Sequence, residues 1–470
     1  MKKTSIITDE SAHQTVTDFI KLENGSKTIQ IGFTDQKISA QAGLSAFAGF
    51  LQWQKFGELI KGLLPQVRSN NAMKPKDVAI GFMMGIIAGA KKLAQVEHLR
   101  TDPALPVLFD IDRIASESTL SRFFGRFDSS AQNLKTFDPL WRWGMERLNS
   151  RAGGYTLDLD TTQLLHEQAF QCEGVRLGHT PKGIKRCYNP LIAFLAEAKL
   201  VAGFWLRPGN TVCHNNAVAF TVDILKRLPS YIRIGLVRAD SGFFEEKWLQ
   251  LLEERHIHYI VVGRLRIPIR QLLKAQQVWR STDVKGTEVA EVHTQQWSWA
   301  RTRRVILIRH RLEDKERPSG KLLIETPGYG YQVLVTSLGS EVAPIEVWRR
   351  YNGRAGCENI IKELDAHFAL PQLCLENFWS TEAALSLSAL SYNLCMLFQR
   401  HVAWKDRVSA STLRFRLFST GAIVSRTHGC DTVRLAVPPK QRPWWRTLFE
   451  KLSSPFPNCN AVEFFPAYSQ

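Results

Sequence analysis

The hydrophobic period of this chain changes once, near residue 150, and that change limits the possible folds more than any other feature. From Gly43 to about Ser150 apolar residues recur at helical spacing. Pro75 suits the first turn of one long helix running from Asp77 through Leu99. A second helix is predicted in IASESTLSRFFGRF, with Ser116 or Ser118 as its N-cap and Leu120, Phe123, Phe124 and Phe127 on its apolar side. From Gly154 the pattern becomes strand-like. TLDLDTTQLL reads as a strand, and PLIAFLAE and LVAGFWLR read as a hairpin. A helix over 215–228, the strand IRIGLVRADSG, a helix over 245–255 and the strand IHYIVVG follow. Strands followed by alternating helices and strands predict a mixed α/β sheet.

The remaining segments fit around that sheet. Residues 1–42 are a polar lead-in poor in strand, 43–150 a helical region and 151–263 the first part of the α/β core. Residues 264–330 are a mostly β insertion, and 331–405 return to the core through YQVLVTS. A helix then runs from Pro344 or Ile345 to Leu364. Another, from Trp379 to about Val402, is apolar nearly all round and is expected to be buried. The last region, 406–470, holds the strand-like TVRLAVP and the basic aromatic stretch KQRPWWRTLF.

The net charge of +17 points to polyanionic partners, and nucleic acid fits better than a membrane. The longest apolar run, Val78 to Ala90, is too short to span a bilayer, and the N-terminus has no apolar signal region, so a cytoplasmic protein is expected. Residues 264–311 carry eleven Lys or Arg against three Asp or Glu, which makes the insertion a candidate surface for a DNA backbone. Arg122 and Arg126, four apart, offer either a DNA-reading helix or an ordinary solvated basic face. Eight scattered cysteines without C-x-x-C spacing exclude a zinc ribbon and read as reduced thiols.

Three acidic positions have the placement that chemistry needs. Asp158 and Asp160 alternate onto one face of the first core strand, where two carboxylates are costly unless paired or bound to metal. Asp240 ends the strand LVRA. Strand ends are where open α/β sheets bind ligands, so Asp240 and one of the two earlier aspartates converge if their strands are neighbours. Glu358, mid-helix, closes the set. Tyr351, Arg354, Glu358 and Lys362 follow at i, i+3, i+7 and i+11 and so share a helix face, either as a salt-bridged surface or as phosphate contacts beside a metal ligand. Such carboxylates suit Mg²⁺ or Mn²⁺, two ions of which support in-line phosphoryl displacement.

Tyr-x₂-Arg-x₃-Glu, with LDLDTT upstream and RADSGF between, resembles the DDE transposases of bacterial insertion sequences. ESTLSRFF, YNPLIAF, the RPGN turn and GRAGCENIIKEL extend the likeness over most of the chain, closest to insertion-sequence family thirteen-eighty. The resemblance implies an RNase H-like catalytic core with a β insertion before the glutamate helix, and a helical N-terminal DNA-binding region. It implies catalytic and metal-binding roles for Asp160, Asp240 and Glu358, with Asp160 preferred over Asp158, and DNA contacts for Tyr351 and Arg354. A lysine seven residues after the glutamate belongs to the related signature. Here that position is Asp365, and Lys362 is the candidate to take over its contact. Base stacking on an insertion tryptophan is implied for Trp297 or Trp299, with Trp279 a further candidate.

The expected activity is cleavage at the inverted ends of the element and strand transfer into double-stranded target DNA, performed by a homodimer. The rival readings are a stand-alone metal-dependent nuclease and a decayed, non-catalytic DNA-binding protein, the latter prompted by Asp365.

Overall fold

The computed structural model describes residues 20–453 apart from 25–26, 70, 297–298, 313–320, 323–327 and 405. The lead-in holds more strand than its polarity suggests. β1 (Ile20–Asn24) and β2 (Lys27–Ile31) form an antiparallel hairpin, followed by β3 (Ile38–Ser39).

Seven helices follow: α1 (Leu44–Trp53), α2 (Phe56–Leu63), α3 (Pro75–Ala88), α4 (Leu93–Glu97), α5 (Leu105–Leu108), α6 (Glu117–Phe124) and α7 (Ser130–Met145). Pro75 starts α3 as expected, but the long helix breaks. Gly89 adopts φ 114°, and both its N–H and that of Ala90 return to the Gly85 carbonyl, a glycine-dependent stop. Ser116 caps α6 by accepting from the Thr119 N–H. That helix ends at Phe124, so Arg126 lies beyond it and does not continue the face of Arg122.

The α/β part begins with β4 (Tyr155–Thr161). A small sheet of β5 (Leu164–Leu165), β6 (Arg176–Thr180) and β7 (Gly183–Tyr188) comes next. Then come β8 (Leu191–Leu195), β9 (Leu200–Trp205), α8 (Ala217–Arg227), β10 (Ile234–Ala239), α9 (Glu246–Glu254) and β11 (His258–Val262). The insertion opens with a helix, α10 (Ile267–Ala275), and continues as β12 (Arg280–Ser281), β13 (Thr287–Thr294), β14 (Arg303–Arg311) and β15 (Lys321–Leu322). β16 (Tyr329–Thr336) leads to α11 (Pro344–Asn352), α12 (Ala355–His367) and α13 (Phe378–His401). The last elements of the described residues are α14 (Ala410–Leu413), the pair β17 (Ala422–Thr427) and β18 (Cys430–Leu435), and α15 (Arg442–Leu452).

One mixed sheet organises these pieces, in the order β12-β13-β14-β16-β11-β10-β4-β8-β9, with β15 on β16. β4, β10 and β11 are parallel. β8 is antiparallel to β4 and β9 to β8, so β9 again runs with β4. The insertion strands therefore lengthen the core sheet instead of forming a separate body: β16 pairs with β11 on one side and β14 on the other.

α13 is buried from Ser380 to His401, as its all-round apolar sequence requires. It packs on α3, α7 and β9, so the helical region and the sheet share one hydrophobic core. No helix among the described residues is long and apolar enough to cross a membrane.

Candidate active site

The strand that carries Asp158 and Asp160 is the neighbour of the strand that leads to Asp240. β4 and β10 pair in parallel, with Asp158 opposite Arg238 and Leu159 opposite Ala239. The next residue on each strand is Asp160 and Asp240, so the two carboxylates emerge side by side at one sheet edge.

The two aspartates of β4 have different partners. Asp158 is 1% exposed and forms a two-pronged ion pair with Arg238, whose Nε and Nη2 lie 2.7 and 2.8 Å from its oxygens. Burial still pushes the Asp158 pKa up despite that pairing. Asp160 is 9% exposed and accepts from the Thr161 N–H at 2.8 Å. Its other oxygen lies 2.9 Å from Nη2 of Arg354 and 3.8 Å from the Cys357 thiol, which donates to it. Burial raises the Asp160 pKa to about 6. Arg354 opposes that rise, and the charge of Asp240 adds to it.

Asp240 caps a short turn, Ser241–Phe243, by accepting from the Gly242 N–H at 2.8 Å. Gly242 has no room for a side chain: a Cβ there would sit 2.6 Å from the Cys213 Cβ. Arg264 ties the turn down from below, donating to the carbonyls of Ser241 and Gly242 at 2.7 and 2.9 Å.

The glutamate helix departs from the sequence expectation. Instead of one helix to Leu364 there are two, α11 and α12, and Glu358 lies in the first turn of the second. Arg238 explains the break. Its Nη1 donates to the Arg350 carbonyl, which in a continuous helix would accept from the Arg354 N–H. The Arg354 N–H turns instead to the Tyr351 carbonyl at 2.9 Å. Gly353 lets the guanidinium pass, since a Cβ there would lie 2.5 Å from Arg238 Nη1.

The four residues expected on one face are consequently divided. Arg354 is buried and Tyr351 half-buried, whereas Glu358 and Lys362 are exposed. Tyr351 links the groups electrostatically. Burial raises its pKa to about 12, Arg354 opposes this, and Asp240, Asp160 and Glu358 all add to the rise. One phenol thus senses all three acids. Among the described residues no three such groups are close enough to hold an ion as they stand. The donor set nevertheless fits a hard divalent cation in kind, because two crowded carboxylates, one with a raised pKa, are relieved by added positive charge.

The remaining candidates scatter. Asp365 is half-buried, and one of its oxygens accepts no hydrogen bond. Arg122 is exposed on α6. Trp299 is 6% exposed, edge-on to Phe244 and beneath Arg303, so its ring is core. Trp279 is half-buried against Arg309 and Tyr331. Trp297 lies outside the described residues.

The basic insertion is also less open than its composition suggests. Arg303 is buried between Glu246 and Glu253, Arg304 pairs with Glu291, and Arg309 pairs with Glu288. Sequence reasoning overlooked Arg238, although a cation inside the strand IGLVRA required a buried acid opposite it.

The family model for transposase DDE domain group 1 matches residues 22–454. No curated protein matches the chain. Among solved structures, the chain is similar to that titled "Cryo-EM structure of piggyBac transposase synaptic complex with hairpin DNA (SNHP)". Identity is 13% and the TM-score 0.40, over 78% of this chain and 70% of that one. The extent of the family match, nearly end to end, settles the assignment: the chain belongs to the transposase family defined by DDE domain group 1.

Proposed function

We propose that this transposase cuts DNA at the inverted ends of an insertion sequence and joins the freed ends to target DNA. Asp160, Asp240 and Glu358 would hold Mg²⁺ or Mn²⁺, two ions in all, within an RNase H-like core. The sequence motifs favour insertion-sequence family thirteen-eighty, and a homodimer on the paired DNA ends. The observation that carries this reading is the emergence of Asp160 and Asp240 side by side on parallel strands, with Tyr351 sensing both and Glu358 as well.

Asp160 is the better first ligand. Asp158 is fully engaged by Arg238 and shapes the helix break, whereas Asp160 shares only one oxygen with Arg354. The bound cations would supply Lewis-acid activation of the attacking oxygen and stabilise the leaving one.

The protein's own side chains account for the rest. Arg354 balances the Asp160 charge and would contact a phosphate of the bound DNA. Tyr351 stays protonated across the physiological range and so acts as a hydrogen-bond donor. Glu358, exposed in the first turn of α12, is free to swing toward the aspartates. Lys362, one turn on, faces solvent and offers a phosphate contact.

Asp240→Ala and Glu358→Ala are each expected to abolish Mg²⁺-dependent end cleavage while end binding persists. Normal cleavage by either variant sinks the assignment. Strand transfer from precut ends separates a transposase from a nuclease that only cuts.

A further inference from the structure

The cavity at the C-terminal end of β9 has no part in the carboxylate site. It encloses 310 Å³ between α7, β9 and the start of α13. Its position follows from the sheet. Asp160, Ile192 and Phe204 are successive cross-strand partners, and Phe204 lines the cavity. Two strand spacings place it about 10 Å along the same edge from Asp160.

Its walls are aromatic and its polar groups are unfinished. Phe137, Trp141, Trp205, Phe378 and Trp379 supply ring surface. Arg207, 3% exposed, donates through Nε and Nη1 to the carbonyls of Asn189, Val212, Cys213 and Asn215. Its Nη2 is buried with no hydrogen-bond partner, and no carboxylate pairs with it among the described residues. Burial lowers its pKa to about 10. Arg227 differs in charge, because Asp138 and Asp223 neutralise it, although its Nε and Nη1 are also buried without a partner.

The same cavity is also lined by acceptors. Asn133 uses its amide N–H₂ on the Trp379 carbonyl and on Glu382, which fixes the amide orientation and leaves its buried oxygen without a donor. The Glu382 carboxyl accepts the Leu206 N–H as well. A buried cation without a counter-charge, lining the same cavity as an acceptor without a donor, is costly and calls for a ligand that carries both complements.

We propose that this cavity is a binding subsite for one guanine nucleotide, its ring stacked among the aromatic walls. Guanine combines an acceptor edge for Arg207 with ring and amino N–H groups for Asn133 and Glu382, a combination adenine and the pyrimidines lack. The base is supplied by a DNA strand held at the carboxylates or by a free nucleotide. Only the first source rests on the proposed function.

Three tryptophans in the cavity give the test its signal. Intrinsic fluorescence of the full chain, without metal, is titrated with GMP, AMP, CMP and inorganic phosphate. GMP is expected to bind at least about tenfold tighter than AMP or CMP, about 1.4 kcal/mol, with no response to phosphate. No response to GMP, equal affinity for all nucleotides, or binding of phosphate alone overturns the proposal.

Leu134→Glu places a carboxylate at the exposed rim without disturbing the core and is expected to weaken GMP at least tenfold. Trp379→Ala should do the same, with partial rescue by Trp379→Phe, and circular dichroism checks each fold. Unchanged GMP binding by Leu134→Glu also overturns it. End DNA with single guanines made abasic then assigns the source: a loss at one position identifies an extruded base, and no loss identifies a free nucleotide. Asp240→Ala should bind GMP normally, so this subsite and the catalytic reading fail independently.

Discussion

Arg303 and Arg207 are both buried arginines, in opposite halves of one sheet, and their surroundings differ in a way that separates structure from function. Arg303, at the start of β14, lies between Glu253, 2.8 Å from its Nε, and Glu246. Burial works against its charge, but the two glutamates overcome this and raise its pKa. Arg207, after β9, has only carbonyl partners and one free donor. The insertion, where positive charge is densest in sequence, is thus neutralised at its buried arginines, Arg303 by glutamates of α9 and Arg304 by Glu291 of β13. The β9 end, where no charge run appears, holds a cation still lacking its counterpart. Local compensation, not the count of basic residues, distinguishes a structural charge from one available to a ligand.

The largest expected effect tests the compensated side. Arg303→Ala strands Glu246 and Glu253 next to each other, with Tyr259 and Arg301 left as the partners of Glu253. Unfolding in urea should show a loss of about 3 kcal/mol. A loss below about 1 kcal/mol would mean that water compensates these glutamates and that the contrast with Arg207 is false.

Asp365 carries the same comparison to an acid. Burial raises its pKa to about 6, and one oxygen has no donor. It also lies in the last turn of α12, where the helix dipole disfavours negative charge. Because the folded pKa lies above the unfolded value, its contribution to stability is full below pH 3.8 and is lost as pH rises through about 6. Asp365→Asn should therefore stabilise the protein at pH 7.5 by on the order of 2 kcal/mol, and the gain should fade as pH falls through 6. An equal gain at pH 7.5 and pH 3.5 would show that charge is not the cause.

These contrasts also explain what the sequence reveals. Most of the strand and helix order from Tyr155 to Val262 is readable because the core strands are short apolar runs, buried on both faces, and the adjacency of Asp160 and Asp240 follows once β4 and β10 pair. Within that stretch β6 and β7 are the exceptions, because RLGHT and the first half of GIKRCY are mostly exposed and carry no alternation, while β5 reads as the tail of the TLDLDTTQLL strand. The break between α11 and α12 depends on Arg238, more than a hundred residues upstream, capturing one carbonyl. The fate of Arg303 likewise depends on α9, a partner that the local composition of the insertion does not contain.

Arg122 gives the smallest expected effect and the clearest control. It is exposed on α6, and its contact among the described residues is Thr119 at 3.5 Å, with no carboxylate paired to it. It therefore represents charge that is uncompensated because water solvates it, unlike Arg207. Arg122→Ala should change stability by no more than about 0.5 kcal/mol. If α6 meets DNA, the variant should bind end DNA more weakly and reduce the salt dependence by about one phosphate contact, without altering sequence preference. Identical affinity and salt slope in wild type and variant would remove α6 from the DNA surface. It would leave Arg122 as an ordinary solvated charge and the carboxylate edge as the place to look for the DNA path.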